Sequence, residues 1–407
     1  MVGYYDAEQD NPVNINQSGT ARRGIPFSRF TDWKRWYVDL YGHTKIGNRL
    51  ELRGNAYFDR FKNDLTIFTD NSFSTKDEVS KDTNDVLGIN GQGIFALTDF
   101  IKIKAGGFLK QDQHERKDAD GKEEFDALTN AYFLETEWMP YPNLFFSAGV
   151  NYDIFFPNSD ETITAWSPRG AAIFKPIPAT RFHAAIGRKT RLPRLINLYS
   201  GVENLSLNSE KNFLVEIGAT QALWNNRVEV GVTGFRNDLT DGIGFVFLPG
   251  PGRRTQDQNN TDSRTLGIES YLSANLIDGL TLLIDYTYMD TKTEVKNEPH
   301  FDRFVHQFNA HLQYQSPFGL GGFLQMSYID GEPDAYPQNS TIGNDSFINF
   351  FLLNGKITYE LYKGIRPFLA IENLTDSNYA RNLGFPEPGR RFFFGVNAKF
   401  ESLDIFD

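Results

Sequence analysis

The sequence predicts an all-β fold, a transmembrane antiparallel up-and-down β-barrel, on three observations. Apolar and polar residues alternate; in 49–58 the even positions are apolar or small and the odd ones polar or tyrosine, which gives a strand one apolar and one polar face. Most such segments approach the ~10 residues that a tilted strand needs to cross a bilayer. Short turns, as at 47–48 and 278–279, alternate with long polar loops, as at 60–86 and 189–211. This asymmetry is typical of an outer-membrane barrel.

We predict about seventeen strands, each justified by the same alternation and bounded by turn residues or polar loops. They are residues 36–46, 49–59, 87–98, 101–112, 128–138, 144–153, 166–174, 180–188, 212–223, 227–248, 264–276, 280–290, 305–315, 321–330, 348–361, 364–374 and 390–400.

The composition excludes several other classes of protein. The chain of 407 residues has no cysteine, which excludes disulfides and thiolate metal sites, and its net charge of -11 argues against nucleic-acid binding. No run of about 18 apolar residues is present, which excludes a helical membrane protein. The alternative is a soluble sandwich or propeller. The unequal turn lengths and the absence of a repeat of about 40 to 50 residues count against it.

The first recognised strand, 36–46, sets the domain boundaries. Residues 1–35 are predicted to be an external loop, 36–400 the barrel and 401–407 a C-terminal extension. The turn after strand 36–46 is short and therefore periplasmic, so this strand descends from the outer rim. Single-chain bacterial barrels have an even number of strands, and seventeen is odd. We therefore expect an odd number of strands upstream, and the chain to be the C-terminal part of a larger barrel.

One motif near the C-terminus resembles the C-terminal signature of TonB-dependent outer-membrane receptors. Its residues are Asn373, Leu374, Asp376, Tyr379, Pro386, Gly389 and Arg390, followed by an alternating strand that ends at Phe400. Segments within 192–210 and 235–269 also resemble this family. The resemblance implies a 22-stranded barrel closed by an N-terminal plug, and therefore about five missing strands besides the plug and TonB box. The extension 401–407 departs from the family, which usually ends on the terminal aromatic residue.

Candidate site residues follow from the predicted topology. Residues expected to face the lumen, either as part of a substrate path or simply as its solvated wall, are Arg49, Glu51, Arg53, Glu269, Asp285, Gln307, Asn309 and His311. At the outer rim, Arg22 and Arg23 are expected either to bind lipopolysaccharide or an anionic ligand, or to belong to a charged and aromatic girdle. Arg253 and Arg254 are expected at a loop tip, either as ligand contacts or as variable loop residues. The six histidines have no metal-site spacing. The acidic stretch 118–124 fails the EF-hand pattern, which leaves a loose calcium site or a solvated hairpin tip.

The resemblance implies a receptor barrel in the outer membrane of a Gram-negative bacterium, which takes up a ferric siderophore, haem or cobalamin with energy supplied through TonB. Expected partners are outer-membrane lipid and lipopolysaccharide, the metal chelate or cobalamin, and the TonB complex through a missing N-terminal part; no nucleic acid and no cofactor are expected. The alternatives are a passive outer-membrane pore or a non-functional receptor fragment. An enzyme is not expected, because no serine, histidine and acid are predicted to share a rim.

Overall fold

The computed structural model describes residues 1–10, 27–70, 72–119, 121–157, 161–199, 201–250, 254–295, 301–331, 349–382 and 385–399. Strands dominate this part of the chain. Its elements are β1 (Val2–Asp10), β2 (Phe27–Ile46), β3 (Leu50–Phe68), β4 (Lys76–Ala96), β5 (Ile101–Asp118), β6 (Gly121–Tyr141), β7 (Leu144–Pro157), β8 (Ile163–Ile177), β9 (Thr180–Arg191), α1 (Leu195–Tyr199), β10 (Glu210–Leu223), β11 (Val228–Phe247), β12 (Thr255–Ile277), β13 (Leu280–Val295), β14 (Phe301–Gln315), β15 (Leu320–Gly331), β16 (Phe350–Tyr359), β17 (Ile365–Glu372), β18 (Ala380–Asn382), β19 (Phe385–Pro386) and β20 (Arg391–Ala398).

The strands form one antiparallel meander, which confirms the predicted fold. Each strand from β1 to β17 pairs with the next, and β17 then pairs with β20. The resulting sheet has 18 strands, while β18 and β19 form a small ribbon of their own. Among the described residues, β1 and β20 each pair with a single strand, so the ladder is open between them.

The predicted external loop of residues 1–35 is wrong for the residues that the structure describes in this range, 1–10 and 27–35. It contains the whole of β1 and the first part of β2, with Tyr4 directly opposite Trp36. Likewise β3 and β4 continue into the predicted loop 60–86 and leave only residues 69–75 between them. The physical reason is that strands here continue past the bilayer, where both faces meet water and the alternation of apolar and polar residues disappears.

The strand β1 also changes the number of strands, seventeen, from which we predicted an odd number of further strands upstream. It ascends before β2, as the parity argument requires, but it lies inside the chain. The sheet therefore has an even number of strands, 18, and parity no longer requires an odd number before residue 1.

The two faces of the sheet differ in chemistry. Side chains such as Leu134, Ile217 and Leu369 stand on one face with 49 to 68% of their surface exposed. Directly opposed residues share a face, so the pairing carries this apolar face from strand to strand. Such a face is suited to lipid contact. No described helix is long and apolar enough to cross a membrane.

The polar face carries rings that lie flat on glycines of the neighbouring strand. At each of seven directly opposed pairs, a Cβ on the glycine would clash with the ring. The pairs are Tyr37–Gly3, Tyr57–Gly88, Phe133–Gly106, His183–Gly218, Tyr271–Gly231, Phe235–Gly267 and Phe368–Gly395. The rings thus pack against backbone instead of projecting from the sheet.

Two connections fold onto the polar face and form the small apolar cores of the molecule. Residues 192–209, between β9 and β10, place Leu198 and Leu207 against Ala127 and Phe155. Residues 373–390, between β17 and β20, place Tyr379 against Phe350 and Leu352 of β16. Both connections lie on the long-loop side of the sheet, so this end of the molecule is partly covered.

Candidate functional site

The polar face brings most of the predicted lumen residues together. Across β12 to β15, Asp285 is directly opposite Tyr271 and Asn309, and His311 is opposite Gln325. Tracing the opposed pairs places Glu51, Arg53, Glu269 and Gln307 on this face too. Arg49 instead lies in the turn between β2 and β3. That this face lines a lumen stays a prediction.

A cavity of about 960 Å³ lies between the wall of β13 to β17 and the connection 373–390. Its lining is rich in neutral hydrogen-bonding groups and in aromatic rings. The amide and ring side chains are Gln307, Asn309, Gln325, Asn354, Phe323, Phe350 and Tyr379. At its edge Arg391 forms an ion pair of 2.6 Å with Glu372. The cavity is therefore equipped to hydrogen-bond and stack on a polar ligand, without a marked excess of either charge.

Asn373 holds the connection 373–390 in place. Its side chain is buried, and its amide Nδ2 donates to the carbonyls of Ser377 at 2.9 Å and Pro388 at 3.4 Å. Its Oδ1 accepts from the backbone N–H of Ser377 at 2.9 Å and from the Thr375 hydroxyl at 3.3 Å. Its own N–H donates to Asn354 Oδ1 at 2.9 Å. We call this arrangement the Asn373 clasp.

The signature residues near Asn373 complete the same turn. Asp376 Oδ1 accepts from the backbone N–H of Arg390 at 2.9 Å, and Arg390 Nε donates to the carbonyl of Leu374 at 3.0 Å. A Cβ on Gly389 would lie 3.0 Å from Asp376 Oδ1, which explains the small residue there. The signature motif therefore builds a fixed loop. The side chain of Pro386 and all of Phe400 lie outside the described part.

A second cavity, of about 580 Å³, lies between the upper part of β3 to β7 and residues 192–196. Charged side chains of β4 and β5 line it. His114 Nδ1 is 2.6 Å from Asn84 Oδ1, and its Nε2 is 3.4 Å from Asp82 Oδ1. Arg116 shares Asp82 at 3.3 Å. No sequence pattern predicts this cavity, because residues far apart in the chain form it.

The environment of His114 favours the neutral imidazole. It lies beyond Leu109, where the outward side chains of β5 change from apolar to polar, and is therefore outside the membrane-spanning part. Burial lowers the pKa of His114, and Asp82 opposes this effect. The ring is stacked with Phe125, which in turn stacks on Tyr199 of α1 with centroids 4.4 Å apart. This stack joins the wall to the connection 192–209.

The connection 192–209 is tied both to its own stem and to a distant strand. Arg191 and Glu210 form an ion pair at its base, and Glu210 also accepts from the N–H of Ile243 at 2.8 Å. Asn197 Nδ2 donates to Asp257 Oδ2 at 2.8 Å, and Asn204 Nδ2 donates to the Asp257 carbonyl at 2.7 Å. Both cavities are thus bounded by loops in defined positions.

The predicted rim contacts are only partly visible. Arg22, Arg23 and Arg253 lie outside the described residues. The carbonyl of Arg254 accepts from the N–H of Leu248 at 2.9 Å and so closes the connection between β11 and β12.

The acidic hairpin at 118–124 is partly neutralised by a lysine. Lys122 forms ion pairs with Glu115 at 3.2 Å and with Glu124. Across the described ranges, no group of three or more His, Cys, Asp or Glu residues is placed to hold a metal ion. Asp120 is not among them, so calcium binding at this hairpin stays an open prediction.

Comparison with known proteins agrees with this geometry. The family model "TonB dependent receptor-like, beta-barrel" matches residues 2–374. The iron-regulated outer membrane virulence protein of Vibrio cholerae is 25% identical over 303 residues, which are 66% of this chain and 44% of that protein. The chain thus spans less than half the length of this curated relative.

Solved structures show the same fold at low sequence identity. The copper transporter OprC superposes with a TM-score of 0.78 at 14% identity, covering 98% of this chain and 76% of that one. The FrpB iron transporter of Neisseria meningitidis gives 0.76 at 15% identity, covering 98% and 68%. The ferric enterobactin receptor PfeA of Pseudomonas aeruginosa gives 0.72 at 17% identity, covering 94% and 62%.

The fold and its two faces define an integral β-barrel protein of the Gram-negative outer membrane. More particularly, the chain belongs to the TonB-dependent receptor family, as part of its β-barrel domain. The family model ends at residue 374, so most of the signature motif, from Asp376 onward, lies beyond the matched range.

Proposed function

We propose that this chain forms the barrel wall of an outer-membrane receptor for a scarce nutrient, such as a ferric siderophore, haem or cobalamin. The observation that carries the proposal is the covered polar face. Two connections fold onto it and leave cavities of about 960 and 580 Å³ on the long-loop side, where a ligand from outside would enter. Pockets of this size suit small-molecule ligands.

The names of the relatives support the nutrient class. One relative is iron-regulated, and similar structures include iron and copper transporters and a ferric enterobactin receptor. We infer that transport is energised through TonB, which the name of the matching family supports, and that the chain has no catalytic role. Its neutral amide groups and rings would bind the cargo by hydrogen bonds and stacking before its release inward.

The test measures uptake in the host bacterium. The gene that encodes this chain is deleted, and cells are supplied in turn with labelled ferric siderophores, haem, cobalamin and copper under limitation. We expect uptake of one of these to be lost, to return on complementation, and to be lost equally when the TonB gene is deleted. If every nutrient enters normally without the gene, the receptor proposal is wrong.

Variants of the cavity locate the binding groups. Asn309→Ala with Gln325→Ala removes two amide groups from the larger cavity, and we expect uptake to fall about tenfold at limiting ligand. Ile217→Ala, on the apolar face, is the matched control and should leave uptake unchanged. A passive pore would show itself by uptake that persists without TonB and by increased entry of unrelated solutes.

A further inference from the structure

The connection 192–209 reaches across the polar face and meets two distant parts of the wall in different ways. On the side of β12 it is held by hydrogen bonds, among them one of 2.8 Å from the N–H of Val202 to the carbonyl of Thr255, besides those to Asp257. On the side of β5 to β7 its contacts are apolar and aromatic, with the fully buried Leu198 among them. Apolar contacts have no fixed direction, so the connection separates more easily from β5 to β7.

The side toward β5 to β7 also contains an unfavourable group. The hydroxyl of Tyr199 is buried there, and it has no hydrogen-bond partner among the described residues. A buried polar group without a partner costs free energy, and this cost disappears when water reaches it. The cost therefore offsets part of the stability that Tyr199 gains by stacking on Phe125.

His114 lies at the wall end of this stack, and both of its ring nitrogens face oxygen atoms. Nδ1 is 2.6 Å from Asn84 Oδ1, and Nε2 is 3.4 Å from Asp82 Oδ1. A neutral imidazole has one N–H and can donate to only one of these oxygens, whereas the imidazolium can donate to both. The wall therefore offers His114 a partner for a second proton, which the neutral ring lacks.

The connection supplies the cover that opposes this second proton. Leu195 and Ile196 lie across the cavity of about 580 Å³ from His114, whose side chain is only 16% exposed. An apolar cover disfavours a charged ring, because the charge loses contact with water. The connection also brings the guanidinium of Arg194 to the same cavity, where it repels an imidazolium.

The other charged groups around His114 belong to the wall and stay beside it in any position of the connection. Asp82 favours the imidazolium, Arg116 opposes it, and Glu123, directly opposite Arg116, also favours it. Further charged side chains that line the cavity are Asp85, which is paired with Arg60, and Lys110 and Asp112, which are paired with each other at 2.9 Å. A movement of the connection therefore changes the cover of His114 and leaves its wall partners in place.

We propose that protonation of His114 releases the connection 192–209 from β5 to β7 and opens the smaller cavity, while the hydrogen bonds to β12 and the Arg191–Glu210 ion pair keep the connection attached. With the connection packed, the imidazolium is covered and shares the cavity with Arg194. With the connection lifted, water reaches His114 and the Tyr199 hydroxyl. His114 is thus a positioning residue, which controls access to the cavity whatever the cargo is.

The direction of the pH effect follows from the burial of the ring. Burial lowers the pKa of His114 in the packed state. The pKa returns toward its ordinary value of about 6.5 when the connection lifts. The lifted state therefore binds a proton more readily, and the packed state loses its advantage as pH falls from about 6.5 through the lowered pKa. Above this range the connection stays packed.

The test measures how readily a reagent reaches a residue beneath the connection. Ala127 is 1% exposed and lies in the same buried cluster as Leu198, and the chain has no cysteine of its own. In the folded barrel in detergent, Ala127→Cys is labelled with a maleimide at about pH 7.5 and at about pH 5. Its rate is divided at each pH by the rate of Asn48→Cys, in an exposed turn, which removes the effect of pH on the thiol itself. We expect this ratio to rise at least about threefold on acidification; a ratio that stays level or falls would overturn the proposal.

Replacement of single histidines assigns the effect to one ring. In the Ala127→Cys background, His114→Gln should abolish the rise, because glutamine takes up no proton. His311→Gln, on β14, is the matched control and should leave the rise unchanged. A rise that persists in His114→Gln, or that disappears in His311→Gln, would contradict the assignment.

A second variant covers the case in which His114→Gln loses the heat-modifiable migration of a folded barrel. Asp82→Asn then replaces it, because it removes the carboxylate that favours the imidazolium and leaves His114 in place. The rise in labelling should occur at lower pH than in the unchanged background. An unchanged midpoint would overturn the proposal.

Discussion

At the residue scale, one buried amide fixes the position of a whole connection. Asn373 has φ 52°, in the left-handed region where asparagine and glycine are favoured, and its side chain bonds residues on both ends of the loop. Ser377 and Pro388 meet through this single group. The signature motif is thus explained by the fold of the loop itself, independently of any ligand.

We expect Asn373→Gly to destabilise the connection by about 2–4 kcal/mol, since glycine keeps the backbone conformation but removes hydrogen bonds worth about 1 kcal/mol each. The free energy of unfolding in urea and hydrogen exchange of residues 374–390 measure the effect. Asn226→Gly is the matched control, because Asn226 has φ 63° in an exposed turn. It should change stability by less than about 0.5 kcal/mol. Equal effects of both substitutions would show that the Asn373 clasp contributes nothing.

At the element scale, the rings of one strand pack directly on glycines of the neighbouring strand, on the polar face of the sheet. Tyr57 of β3 lies on Gly88 of β4, and a methyl group at Gly88 would force the ring off the sheet. A ring that packs on a glycine also covers the backbone hydrogen bonds of the sheet, which the glycine, having no side chain, leaves exposed. The seven pairs repeat this contact around the sheet.

We expect Gly88→Ala to destabilise the barrel by about 1–2 kcal/mol, because the added methyl overpacks this contact. In the background of Tyr57→Ala the same substitution should cost nothing, so the two changes should not be additive. Unfolding in urea of the four proteins of this double-mutant cycle gives the coupling. Gly234→Ala is the control, since nothing lies within 4 Å of a Cβ there. Additive effects at Gly88 and Tyr57 would contradict the packing interpretation.

At the scale of the whole molecule, the open ladder between β1 and β20 limits how the wall closes. Unpaired backbone groups in a bilayer are costly, so both edges require partners there. Because β1 ascends and β20 descends, they are antiparallel across the opening. Any strands that lie between them must therefore be even in number.

We expect strands to intervene, as the 22-stranded barrels of the family imply. Two strands already separate the edges by about 14 Å, well beyond the ~7 Å limit for a disulfide. Tyr5→Cys, combined with Phe393→Cys or with Asn397→Cys, should therefore not oxidise to a crosslink in outer membranes. Asp39→Cys with Tyr57→Cys, directly opposite in β2 and β3, is the positive control. The chain has no cysteine of its own, so any crosslink between the edges is unambiguous evidence of direct closure.

Sequence reasoning predicted the wall of this molecule better than its loops. All seventeen predicted strands are present, because each alternates where lipid meets one face and ends at a short turn. It missed β1, where Asp6, Glu8 and Asp10 leave no apolar alternation. The alternation of apolar and polar residues also predicted that Asp285 and His311 lie on the polar face of the sheet. The cavities were not predictable, because a connection must fold back onto distant strands to form them; in the smaller cavity, Leu195 and Ile196 lie across from His114 of β5.

The anchoring of the connection 192–209 has a consequence for how such proteins diversify. The Arg191–Glu210 ion pair joins the end of β9 to the start of β10, so both ends of the loop between them are held at the sheet. Its inner contacts, however, are made to Asp257 and Asn259 of β12. A graft from a relative should therefore carry 192–209 together with 255–259, and with the residues at 125, 127 and 155 that pack against the loop. A recombinant that takes 192–209 from one protein and 255–259 from another would lose the hydrogen bonds between the two segments, even where the Arg191–Glu210 ion pair is kept.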